Sequence, residues 1–86
     1  MLKQNTMNRK IRLIWEFRGP DALKTAEHHV IHLKEFAQAE NLHFYESDYT
    51  KQSDYFSIAY IIVDEKEMMT YKNALKPDRG TVVTDL

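Results

Sequence analysis

Between Lys10 and Arg18 the chain alternates, with Ile11, Leu13, Trp15 and Phe17 pointing one way and Arg12, Ile14, Glu16 and Arg18 the other. A period of two over nine residues predicts a strand with one apolar side. Gly19-Pro20-Asp21 then breaks the strand and opens a helix. Proline suits the first helical turn, where its missing N–H costs nothing, and Asp21 places a negative charge at the positive end of the helix dipole.

From Asp21 to about Glu40 the period lengthens, and Leu23, Ala26, Val30, Leu33 and Ala37 recur at three- and four-residue steps with Ala22 and Phe36 flanking them. That spacing predicts an amphipathic helix laid on a sheet. Asn41 is suited to end it in a left-handed conformation. Leu42 to about Tyr49 reads as a second strand, Thr50 to Asp54 as a polar turn, and Tyr55 to Val63 as a third strand, so the two strands form an antiparallel hairpin.

Asp64 and Glu67 have the spacing of a capping box at the start of a second helix. This helix runs to about Lys76 with Met68, Tyr71, Ala74 and Leu75 as its buried stripe, and Pro77 and Gly80 end it. Thr81 to Thr84 is short and β-branched, as an edge strand is. The order is βαββαβ. With right-handed crossovers it folds as an α+β ferredoxin-like plait, a four-stranded antiparallel sheet with both helices on one face. Residues 1–9 are polar and aperiodic and are expected to form a flexible arm, leaving 10–86 as a single domain.

The third strand departs from the usual pattern. Tyr55, Ser57, Ala59, Ile61 and Val63 form one side, Phe56, Ile58, Tyr60 and Ile62 the other, and both are apolar. An antiparallel sheet covered on one face normally shows polar residues on the other. If the bulkier set faces the helices, Tyr55, Ile61 and Ile14 stay exposed beside Arg12 and Glu16; with the opposite parity the exposed patch is larger. Such a patch marks a contact surface, and a second copy of the chain, in a two-fold dimer, is the expected partner.

Charge and composition narrow the functional classes. Twelve basic and thirteen acidic residues leave a net charge of −1, which argues against a broad surface for nucleic acid. The longest apolar run, Ile58 to Val63, is too short to span a membrane. Two glycines cannot build a phosphate-cradling loop, and the absence of cysteine fits a cytoplasmic protein.

Candidate chemistry concentrates in His28, His29 and His32. His28, His32 and Glu35 share a helix face at i, i+4 and i+7; the expectation for such a face is a solvated polar surface and no cofactor, and the alternative is a ligand set for a divalent transition metal. A straight helix would need further ligands from outside to close that shell. His29 instead borders the apolar stripe near Ala22 and Phe36, where burial would keep it neutral and able to act as a general base among Trp15, Phe17, Phe44, Tyr45, Phe56 and Tyr60. Three functional classes follow: a self-associating binding or regulatory module with a small-molecule or protein ligand, a small dimeric enzyme using His29, and a histidine-based metal-binding protein.

Overall fold

The computed structural model describes residues 9–84. Strand β1 (Lys10–Arg18) is followed by helix α1 (Ala22–Ala39), the hairpin of β2 (Glu46–Ser53) and β3 (Phe56–Asp64), helix α2 (Glu65–Leu75) and strand β4 (Arg79–Val83). The sheet order is β2-β3-β1-β4 and every neighbouring pair is antiparallel. Both helices lie on one face, which is the ferredoxin-like plait. Of the expected arm, residues 1–8 lie outside the described residues. Arg9 belongs to the fold: its guanidinium makes a two-pronged bond to Glu65, at 3.1 and 2.8 Å, and its carbonyl accepts the Glu65 N–H.

The core sits between the sheet and the helices. Ile11, Leu13 and Trp15 of β1 meet Ile61 and Val63 of β3, and Leu33, Ala37 and Tyr71 close over them. Trp15 satisfies its buried N–H by donating to the Leu75 carbonyl at 2.7 Å. A second cluster joins Ala26 and Val30 to Ala59, with Phe17 and Tyr49 alongside. On α1 the buried stripe is Ala22, Ala26, Val30, Leu33 and Ala37, and Leu23 is 41% exposed. Steps of four, four, three and four residues keep one line inward, and Leu23 lies about 100° round the helix from Ala22.

The helix ends resolve differently. At the end of α1, Asn41 takes φ of 56°, and the Asn41 and Leu42 N–H groups donate to the Gln38 and Ala37 carbonyls. This is a Schellman closure, and it seats Leu42 against the core. The start of α2 corrects the expected capping box. Asp64 makes no side-chain cap bond, because its carboxylate accepts the Tyr45 hydroxyl at 2.6 Å, and Glu67 Oε1 is buried without a partner. Only Tyr71 of α2 is fully buried; Met68 and Leu75 are half-buried and Ala74 is exposed. A left-handed Lys76, φ 50°, ends this helix.

Two strands are displaced from their expected positions. β2 begins at Glu46, because Leu42 and Phe44 pack on the end of the core as irregular chain and Tyr71 donates its hydroxyl to the His43 carbonyl. The strand then continues through Ser53 to a turn at Asp54 and Tyr55, with a register shift between Lys51 and Ser53. Its sequence is polar because an edge strand is held by backbone pairing; of the residues it turns to the helix side, Ser47 is buried, Tyr49 half-buried and Lys51 exposed. β4 likewise begins early, at Arg79, and takes in Gly80. A side chain at Gly80 would stand 3.3 Å from Leu13 Cδ2, so the glycine serves close packing of the strand and not the end of α2.

Candidate functional site

The parity of β3 decides which residues lie on the uncovered face. Register pairs Ile11 with Val63, Leu13 with Ile61 and Trp15 with Ala59, and these residues face the helices. The open face therefore carries the bulkier set, Phe56, Ile58, Tyr60 and Ile62, together with Ile14. This is the parity for which the larger exposed patch was expected. Yet Ile14 is 4% exposed and Ile62 only 1%.

The chain's own cations lie over three aromatic rings. Arg12 lays its guanidinium 5.0 Å from the centre of the Tyr60 ring, Arg18 stands 4.1 Å from that of Phe56, and Lys10 Nζ is 4.7 Å from that of Tyr45. Long cationic side chains can lay their methylenes over apolar surface, and a ring face attracts the cation. The rings are anchored as well. Tyr60 donates to Glu46 Oε2 at 2.6 Å, and burial followed by this carboxylate pushes its hydroxyl up to about 12. The Tyr45 hydroxyl is also held above its ordinary value, chiefly by its bond to Asp64.

Cover is incomplete along β1 and β3. A groove of about 440 Å³ lies on this face, with Ile14 and Ile58 set between Arg12, Tyr60, Arg79 and Thr81. Arg79 is tied to Glu16 at 3.0 Å, whereas Arg12 forms no ion pair among the described residues and its Nε is buried with no acceptor. A second groove of about 370 Å³ runs on the helix side between α2 and β4, over Ile11, Leu13, Met68 and Val82.

The three clustered histidines separate. His28 and His32 are exposed on α1, as is Glu35. Among the described residues no group of three or more histidine, aspartate or glutamate side chains is placed to hold a metal ion. His43 packs instead on the Tyr45 ring, 4.6 Å between centres. His29 turns toward the sheet and sits 4.9 Å from Trp15 and 5.4 Å from Phe17, ring to ring. Burial lowers its pKa from 6.5, the neighbouring His32 lowers it further and Asp78 opposes them. Its Nε2 is buried without a partner. Neither groove is lined by His29, so the neutral imidazole has no substrate-sized space beside it in either.

Of these site features, the open-face groove is the one that sequence reasoning missed. Thr50 and Arg79, at its two flanks, come from β2 and β4, the two strands whose registers the hydrophobic pattern leaves loose. No family model matches this chain, and no curated protein or solved structure is similar enough to stand as its relative.

Proposed function

We propose that this domain is a non-enzymatic binding module that associates with a second copy of itself through the open face of its sheet. One observation carries the proposal: the uncovered side of β3 presents Phe56, Ile58 and Tyr60 half-buried, the two rings under Arg18 and Arg12, beside a groove in which Ile14 and Ile58 lie among polar side chains. A face that only meets water has no need of three such residues in a row at alternate positions.

Size bears on how strong that association is. Four strands about 4.8 Å apart, of 9, 8, 9 and 5 residues at about 3.3 Å each, give roughly 490 Å² per copy, or roughly 1,000 Å² in total, no more than the roughly 1,000 Å² of a specific interface. A reversible dimer is expected, with the groove at its surface open to a small ligand. Sedimentation equilibrium from micromolar to millimolar concentration tests this. A rising weight-average mass that reverts on replacing Ile58 and Tyr60 together by serine supports it, and a constant monomer mass refutes it.

The buried, unpartnered Nε2 of His29 favours a second reading, a general base in a small enzyme. Its test is independent of mass. Small-molecule fragments that shift the His29 and Trp15 ring resonances together would support it, and a fragment set that moves neither ring would dismiss it.

A further inference from the structure

Each row of residues across the open face reads differently from one edge to the other. Register sets Asp48 opposite Tyr60, Tyr60 opposite Ile14, and Ile14 opposite Arg79. The row therefore runs acid, ring, aliphatic, cation. The adjacent row runs Glu46, Ile62, Arg12, Thr81. In these two rows the acidic side chains lie on β2 and the cationic ones on β1 and β4; Glu16 of β1, in the next row, is paired with Arg79 and Arg18. Asp48 and Arg79 are both exposed.

Two sheets packed face to face by a two-fold axis have two simple alignments. With the axis across the strands, β2 lies over β2 of the second copy, and an axis through the first row sets Asp48 against Asp48 and Arg79 against Arg79. With the axis along the strands, β2 lies over β4 and β3 over β1. The first row then matches itself: Asp48 meets Arg79 of the second copy, and Tyr60 of the second copy stands over Ile14 in the groove. Arg12 of the second copy comes next to Glu46, which sets a carboxylate beside a guanidinium whose Nε has no acceptor among the described residues. Like charges across an interface are costly and opposite ones fix register, so the two alignments are not equivalent.

We propose that the two copies meet about a two-fold axis parallel to the strands, with Asp48 of each paired to Arg79 of the other and Tyr60 set over Ile14. This rests on the self-association proposed above and adds its geometry. The Arg79–Glu16 contact uses only Nε of the guanidinium, leaving its terminal nitrogens free for Asp48. Asp48 similarly engages one oxygen, Oδ1, with the Tyr49 N–H and keeps the other available.

The test is a charge exchange read by sedimentation equilibrium, with circular dichroism confirming that each variant is folded. Asp48→Arg and Arg79→Asp each create two like-charge pairs per dimer and should weaken association by at least about tenfold. An equimolar mixture of the two single variants restores complementary charge at both positions of a heterodimer, and it should associate about as well as wild type. The double variant D48R/R79D should also recover. If the wild type associates and the single variants match it, the axis is wrong and self-association stands, because an axis across the strands merely exchanges one like-charge pair for another. If the wild type stays monomeric, both proposals fall.

Discussion

Ile61 and Ile62 are sequence neighbours with 0% and 1% exposure, yet they are buried by different means on opposite sides of one strand. Ile61 packs in a cluster with Leu33 and Tyr71, side chains fixed on helices. Ile62 lies on the side where Lys10, Arg12 and Arg18 spread over the rings. Accessible area alone treats the two as equal. What differs is whether the covering atoms can move, and a lid of long cations can be displaced by a partner at far less cost than a helix can.

The largest expected effect separates these two kinds of burial. Within the range of about 2–5 kcal/mol for a buried Ile→Ala, Ile61→Ala should fall near the top, since helix-borne neighbours close the cavity poorly, and Ile62→Ala near the bottom, since flexible stems collapse into it. Urea denaturation followed by circular dichroism measures both; equal losses would mean that the open face is as rigidly packed as the covered one. Next comes the polar bond within the helix side. Trp15→Phe removes the donor to the Leu75 carbonyl and should cost about 1–3 kcal/mol, because it strands a part-buried acceptor.

On the open face, Arg12→Ala should cost about 0.5–1 kcal/mol, the scale of an exposed cation–π contact, and should raise binding of an apolar fluorescent dye. Arg12→Met keeps much of the stem and should leave dye binding near the wild-type level. Dye binding raised equally in both would assign the cover to charge and not to methylenes. The smallest effect concerns His29. Its pKa is lowered in the folded state, so the unfolded chain takes up a proton first as pH falls. Its contribution to stability is complete above the ordinary 6.5 and is lost as pH falls through the lowered value. His29→Gln should flatten that part of a stability–pH curve. Glu65, lowered from 4.5 by its bonds to Arg9, acts in the same direction in a more acidic window and leaves the two separable.

Element order was legible in the sequence wherever one periodicity prevailed. The alternation of β1 predicts Lys10–Arg18, which is the observed strand, and the spacing on α1 predicts four of its five inward residues, the fifth being the flanking Ala22. Where local pattern failed, a non-local partner had intervened. Asp64 has the spacing of a cap, but Tyr45, nineteen residues earlier, holds its carboxylate. β2 carries little apolar signal because its place is set by backbone bonds to β3. The parity of β3 was open because both of its sides are apolar, and only register against β1 decides it.

His29 facing inward followed from its place beside the apolar stripe; the two aromatic rings it meets depend on how α1 crosses the sheet. The cations covering the open face were visible as Arg12 and Arg18, though not as lids, because their ring partners lie some forty residues away along the chain.

The strand order carries one consequence for the life of the chain outside its native state. β3 is the segment best suited to stacking into fibrils, being rich in β-branched and aromatic residues, and it occupies an interior position flanked on each side by β2 and β1. Its backbone groups are thereby occupied, while the polar β2, with its kink near Lys51, forms one outer border. Peeling β2 away would uncover a ready template for insoluble polymer, so shelf life and tolerance of heating should follow the closure of this one hairpin more closely than the stability of the domain as a whole.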